Sequence, residues 1–436
     1  MKLIVKFFLI FLFPLGAFAS DQQRETPAPT VMVIFGATGD LTSKKILPAI
    51  EHLAQAGELP KQFALVGVAR KSEEAFRKKV SSQMYYAQGD FDEDAGYERL
   101  SELLHQIDKD FGAKSNRLFF LSTPPKYFSL IAEKLHQHKL IYNPGEKEWS
   151  RLLIEKPFGT DLPSALALQK SLSHYLDESQ IYRIDHYLGK EGVQNLTDFR
   201  RGRKLESLWN NQHIDRVEIT ISEEIGIGSR AQFWEETGLV RDIVQNHLMQ
   251  LLSLVAMEVD GDRVAEKIKV LDAINPLDLG SVMRGQYGPG EIKGQKVLGY
   301  RDEEGVPITS RVETYCAATL FIDNERWKGV PFRIQAGKRL PSQLTEVVVY
   351  FKSKQKLHIR IQPHPAIFFE GGAHFSFEPH LYTEAYQKLI VDAIKGEKSS
   401  FVHSEEQMSA WRLLTPLLEE WKVSPHISIY PAGTTP

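Results

Sequence analysis

The sequence predicts a doubly wound α/β domain followed by an α+β domain with a large, mainly antiparallel sheet. Three observations lead there. Short apolar runs at 31–35, 63–68, 117–122 and 151–155 are separated by helical segments. Strands covered on both faces of a parallel sheet read this way, and their alternation with helices implies right-handed crossovers. Beyond about residue 190, the stretches 216–221, 314–322, 346–351 and 357–361 alternate with period two, as strands with one covered face do. Finally, 436 residues, 42% hydrophobic and 25% charged, suffice for two cores and exclude a disordered or multi-span chain.

The ends and charge narrow the reading. Lys2 and Lys6 precede an apolar run that closes on Ala17-Phe18-Ala19. This pattern predicts a signal peptide over 1–19, export to a periplasm or secretory lumen, and no membrane association after cleavage. A cytoplasmic location follows instead if translation starts further along. Residues 20–30 read as a proline-containing linker, 31–184 as a dinucleotide-binding domain and 185–436 as a substrate and dimerisation domain. The net charge of −3 argues against a nucleic-acid partner. One cysteine, Cys316, can form neither an internal disulfide nor a cysteine metal cage, and no metal is expected.

Four segments carry chemistry. The first strand ends in Gly36-Ala37-Thr38-Gly39-Asp40 and opens a helix. Glycines there let the backbone approach a pyrophosphate at helix N-terminal amides, as in Rossmann-type domains. The full three-glycine fingerprint is missing. The second strand ends Val68-Ala69-Arg70-Lys71, with cations where an NAD site keeps an acid, which suits the 2′-phosphate of NADP. The fourth strand runs into Glu155-Lys156-Pro157-Phe158-Gly159, where a lysine can hold a hydroxyl or phosphate and Pro157 can be cis. Arg183-Ile184-Asp185-His186-Tyr187-Leu188-Gly189-Lys190-Glu191 supplies an imidazole, a phenol and an amine for a phosphate monoester. In 238–252 a helix is expected with Asp242, Asn246 and Gln250 on one face and His247 beside them. His247 becomes a general base only if an acid orients it.

Together these segments resemble the glucose-6-phosphate dehydrogenase family, as do Asn324-Glu325-Arg326-Trp327, Gly329-Val330-Pro331-Phe332 and Gly337-Lys338. The resemblance runs from about residue 31 to 425. It implies NADP-dependent oxidation of D-glucose 6-phosphate at C1 to 6-phospho-D-glucono-1,5-lactone, the first step of the oxidative pentose phosphate pathway. It implies His247 as the base and Asp185 as its orienting acid. It places His186, Tyr187 and Lys190 on the 6-phosphate, and Lys156, Glu223, Asp242 and Lys338 around the sugar. Gly36, Thr38, Gly39, Asp40 and Leu41 would form the cofactor turn, with Arg70 on the 2′-phosphate and Tyr127 and Lys156 near the cofactor. A homodimer or homotetramer is implied through the outer face of the large sheet. Two positions depart from the family pattern: Ser43 and Gln343 each stand where relatives often carry a cation. The phosphate clamp separates this reading from oxidoreductases resembling glucose–fructose oxidoreductase, which act on unphosphorylated sugars.

Overall fold

The structure is a computed structural model that describes residues 28–77, 84–202, 205–377, 381–382 and 384–436. The expected signal peptide, and all but the last three residues of the linker, lie outside these.

The apolar runs of the first half form a six-stranded parallel sheet. It comprises β1 (Thr30–Phe35), β2 (Phe63–Ala69), β3 (Tyr85–Gln88), β4 (Asn116–Leu121), β5 (Ser150–Glu155) and β6 (Ile181–Ile184), in the order β3-β2-β1-β4-β5-β6. Every residue of β1 and β4 is buried, and the apolar runs 31–35 and 118–121 make up most of both strands, as for strands covered on two faces. One face is covered by the helices Asp94–Phe111 and Phe128–Gln137. The other is covered by Leu47–Gln55 and by Ala385–Lys395, which returns from far along the chain. This doubly wound arrangement puts every strand's C-terminal end on one edge, the ordinary ligand edge of such sheets.

The second half is a nine-stranded mixed sheet over a helical layer. Its strands are β7 (Ile214–Glu223), β8 (Met283–Gly288), β11 (Tyr315–Phe321), β12 (Pro331–Lys338), β13 (Leu344–Phe351), β14 (Lys356–Gln362), β15 (Ala366–Phe369), β16 (His374–Phe375) and β17 (Ser428–Pro431). They run in the order β16-β15-β14-β13-β7-β12-β11-β8-β17, and β9 (Gly290–Ile292) and β10 (Gln295–Val297) form a separate hairpin. The pairs β7–β12 and β8–β17 are parallel, and the others are antiparallel. Helices pack on one face through Val217, Ile219, Phe332, Ile334, Val347 and Ile359. The alternate positions Glu218, Thr220, Arg333 and Gln335 line the opposite face.

One element departs from its expected form. The stretch expected as a single helix through 238–252 breaks at Gly238 (φ 66°, ψ 175°) and resumes as Val240–Leu248 with i→i+5 winding, then Met249–Ala256 with ordinary winding. Such wide turns concentrate at functional sites. They also undo the 3.6-residue face assignment: Asp242, Asn246 and Gln250 do not act together. Asp242 meets Lys156, Asn246 Nδ2 donates to the Arg241 carbonyl oxygen at 3.0 Å, and Gln250 turns to a buried ion pair. In that pair Lys267 Nζ lies 2.7 Å from Glu406 Oε2, both fully buried, and Gln250 bonds to both residues at 3.0 Å. Breaking one member of such a pair leaves an uncompensated buried charge, so these residues pin the far end of the stretch that carries His247.

Candidate active site

Asp185 follows β6 and caps the short turn His186–Gly189: its Oδ1 accepts from the Tyr187 backbone N–H at 2.9 Å. The same oxygen lies 2.5 Å from His247 Nδ1, across 62 residues of sequence. Both side chains are almost fully buried, at 1% and 2% exposure. A carboxylate only accepts, so Nδ1 carries the proton in this bond and Nε2 is left as the basic nitrogen. Tyr187 stacks on the His247 ring at 4.0 Å between centroids, and His186 meets it edge-on at 4.6 Å. Asp185, His186 and His247 bring one polar atom each within 4.8 Å of one another.

A second ring of groups surrounds this pair. Lys156, directly after β5, donates to the Asp242 carbonyl oxygen at 2.7 Å and to its Oδ1 at 3.0 Å, tying the parallel-sheet edge to the His247 segment. The Lys156–Pro157 bond is cis. Lys190 Nζ sits 3.7 Å over the Tyr187 ring and donates to Gln362 Oε1. The Tyr187 hydroxyl lies 3.4 Å from Thr345 Oγ1. Glu223 and Lys338 end the adjacent strands β7 and β12 in register, with Lys338 Nζ 2.5 Å from Glu223 Oε2 and 4.6 Å over the Trp234 ring.

Burial sets the electrostatics. It pushes the His247 imidazolium well below the ordinary histidine range, and Lys156 and Lys190 push further the same way while Asp242 opposes them. The His247 ring is therefore neutral near pH 7 and able to take a proton. Burial lowers His186 too, with the His247 charge adding to the effect, so the His186 ring is neutral near pH 7. Burial raises Asp185, against the pull of His186, Lys156 and the Tyr187 amide. It lowers Lys190 to about 8 despite Asp185 and Glu223. For Asp242 burial works upward, but Lys156, His247 and Lys338 outweigh it and hold the carboxyl low. Beside Lys156, burial brings the Glu155 carboxyl to about 7, while a 2.8 Å hydrogen bond from the Tyr386 hydroxyl pulls the other way.

The cofactor candidates share the sheet edge. Gly36 takes φ 84°, and a Cβ there would fall 2.1 Å from the Ser122 carbonyl oxygen, so only glycine permits this turn against the end of β4. The Gly39 N–H donates to the Gly36 carbonyl oxygen at 2.9 Å, and so does the Thr42 hydroxyl at 3.1 Å. Leu41 leads into the wide first turn, Thr42–Ile46, and packs against the core; Thr38 lies within the glycine turn, and Asp40 is exposed, bonded to Lys44 at 2.8 Å. Arg70, exposed at the end of β2, lines a cavity of about 490 Å³ with Gln88, Gly89, Asp90, Glu93 and Arg99. Tyr127, beyond β4, packs edge-on against Phe91 at 5.2 Å. The glycine turn at the sheet edge fits the pyrophosphate of a dinucleotide. The structure thus gathers the predicted residues into a cluster around His247 and a strip along the parallel sheet, linked by Lys156. Sequence reasoning passed over Gln362, Thr345, Trp234 and the Glu155–Tyr386 pair. Their partners are remote in the chain, and no local pattern marks them.

Known proteins match this arrangement along nearly the whole chain. The NAD-binding domain of glucose-6-phosphate dehydrogenase matches residues 33–85 and 70–195, and the C-terminal domain of the same enzyme matches 201–374 and 373–436. The chain belongs to the glucose-6-phosphate dehydrogenase family. The glucose-6-phosphate 1-dehydrogenase of Chlamydia pneumoniae is 43% identical over 95% of this chain and 94% of its own length. That of Chlamydia muridarum is also 43% identical, over 93% of each. A solved glucose-6-phosphate dehydrogenase in complex with its substrate glucose-6-phosphate superposes with a TM-score of 0.84 at 33% identity, covering 94% of this chain and 96% of that one.

The downward shift at His247 has a kinetic consequence. The neutral His247 ring survives as pH falls through the ordinary histidine range and is protonated only below it. The acid limb of kcat/KM, which reports the free protein, is therefore expected below pH 6.5. An acid limb centred above 6.5 would contradict the neutral buried ring.

Proposed function

We propose that His247 takes the C1 hydroxyl proton of glucose 6-phosphate through Nε2, while Asp185 holds Nδ1–H and stabilises the imidazolium that forms. The activity is that of the family, glucose-6-phosphate 1-dehydrogenase in the oxidative pentose phosphate pathway. The observation that carries the proposed roles is the 2.5 Å Asp185–His247 hydrogen bond inside a buried cluster. A carboxylate fixes the tautomer and favours the charged ring as the proton arrives, so the base strengthens during the step rather than before it.

The neighbours divide the remaining work. His186, Tyr187 and Lys190 bind the 6-phosphate, with Lys190 supplying the charge and the neutral His186 and the Tyr187 hydroxyl supplying donors. Lys156, Asp242, Glu223 and Lys338 hold sugar hydroxyls; their mutual pairs at 2.5–3.0 Å are contacts a sugar can replace. The glycine turn with Thr38, Asp40 and Leu41 would hold the pyrophosphate of NADP, Arg70 its 2′-phosphate, and Tyr127 and Lys156 its remaining length. When bound, the dinucleotide supplies the hydride acceptor. Residues 31–184 then serve the cofactor and 185–436 the sugar, with association as a homodimer or homotetramer through the outer sheet face of Glu218, Thr220, Arg333 and Gln335. That face is polar and alternates with core positions along the same strands.

The test of the base is His247→Asn, assayed by reduced-cofactor absorbance with glucose 6-phosphate and NADP⁺. Turnover is expected to fall by roughly 10²-fold or more, with KM for the sugar phosphate changed only a few-fold. Unchanged turnover would remove His247 from the step. Arg70→Ala tests cofactor choice. It is expected to raise KM for NADP⁺ about tenfold or more while leaving NAD⁺ kinetics near wild type, the loss of one charge-assisted phosphate contact. An unaltered NADP⁺/NAD⁺ ratio would assign the 2′-phosphate elsewhere.

A further inference from the structure

The segment that carries Asp242 and His247 starts without a local cap. Leu239 stands at its N-cap position and offers no side-chain oxygen, and no capping hydrogen bond comes from it. The first amides of a helix need acceptors, and a buried helix start without them is costly. Here the acceptor comes from another part of the chain. Glu313, 4% exposed and two residues before β11, receives the Val240 N–H on Oε1 at 3.0 Å, and its backbone carbonyl oxygen receives the Leu239 N–H at 3.2 Å. One residue thus satisfies two consecutive orphan donors. Its carboxylate also lies at the positive end of the segment, where negative charge is favoured.

The kink at Gly238 is shaped to this contact. A Cβ on Gly238 would fall 2.5 Å from Glu313 Oε1 and 3.0 Å from Cδ, and the backbone there has φ 66°. Both the break between the two helices and the room for the carboxylate therefore depend on glycine. On its other side Glu313 is tied to the sugar-facing sheet edge: the neighbouring Thr314 carbonyl oxygen accepts from the Lys338 N–H at 2.9 Å, and Tyr315 pairs with Gly337. The same short stretch of chain thus fixes Lys338 and the start of the His247 segment relative to each other. Burial raises the Glu313 carboxyl above the usual range, while the Val240 amide, Arg284 and Arg241 favour its charged form.

We propose that Glu313 is a positioning residue: by anchoring the first turn of Val240–Leu248 to the lead of β11, it holds Asp242 against Lys156 and His247 against Asp185. The inference rests on His247 being the base. Small displacements of a reacting group cost large factors in rate, so the anchor is expected to show in turnover rather than in cofactor binding.

Three variants of the full chain test this, each assayed at least 10 °C below its own Tm with folding checked by circular dichroism. Glu313→Ala is expected to lower kcat about tenfold or more while KM for NADP⁺ stays within about twofold. Glu313→Gln keeps an acceptor oxygen and is expected to stay within about threefold of wild-type kcat. Gly238→Ala, which pushes a methyl group against the carboxylate, is expected to repeat the Glu313→Ala pattern, and it stands in if Glu313→Ala does not fold. Wild-type kcat in folded Glu313→Ala or Gly238→Ala, equal losses in Gln and Ala, or a matching rise in KM for NADP⁺ would overturn the anchor. The His247→Asn control separates the two claims. Full turnover there overturns both, whereas an inactive His247→Asn beside a fully active Glu313→Ala overturns the anchor alone.

Discussion

The architecture converges on one hydrogen bond, from His247 Nδ1 to Asp185 Oδ1 at 2.5 Å. Its two residues arrive by different routes. Asp185 leaves the last strand of the parallel sheet, so its place is set by backbone pairing through β5 and β6. His247 arrives on a helical stretch that packs with the second sheet. The bond forms only if both cores seat their elements within tenths of an ångström, which rigid close packing permits and a loose core would not. Burial makes the pair chemically useful. It keeps the imidazole neutral and sets the carboxylate between the His247 ring and the Tyr187 amide.

Around that bond, charge is arranged in short local pairs. Lys156 meets Asp242, and Lys338 meets Glu223, while Lys190 rests on Tyr187 and Gln362. Each pair holds its groups in fixed polar contact beside the Asp185–His247 bond, so they are already organised in the folded chain. The far end of the His247 stretch is held by Lys267, Glu406 and Gln250. The near end meets the lead of β11. Two remote polar clusters thus bracket His247, one at each end of a helical run that winds irregularly between them.

Much of the fold was legible because burial writes itself into composition. β1 and β2 are nearly pure apolar runs, β4 and β5 are built around 118–121 and 152–154, and β7 and β14 alternate cleanly. β3 and β6 were not, since Tyr85-Tyr86-Ala87-Gln88 and Ile181-Tyr182-Arg183-Ile184 are four residues each with mixed polarity, below the length at which a period declares itself. The short outer strands β15, β16 and β17 were not legible for the same reason. The winding of Val240–Leu248 was not legible either, because hydrophobic spacing cannot separate one wide turn from an ordinary helix with a polar face. At the site, the motif residues could be picked out from their chemistry. Their supports could not, because Thr345, Gln362, Trp234 and Glu313 are ordinary residues whose role comes from tertiary contact alone. The return of Ala385–Lys395 to cover the first sheet likewise leaves no trace in a linear reading.

The most direct measurement of the central bond is a double-mutant cycle in kcat/KM with Asp185→Asn, His247→Asn and the combined variant. Residues that act as one unit are non-additive. The account predicts that the combined variant is no slower than about the slower of the two single variants. Losses that multiply in full, as for two groups working independently, would contradict it.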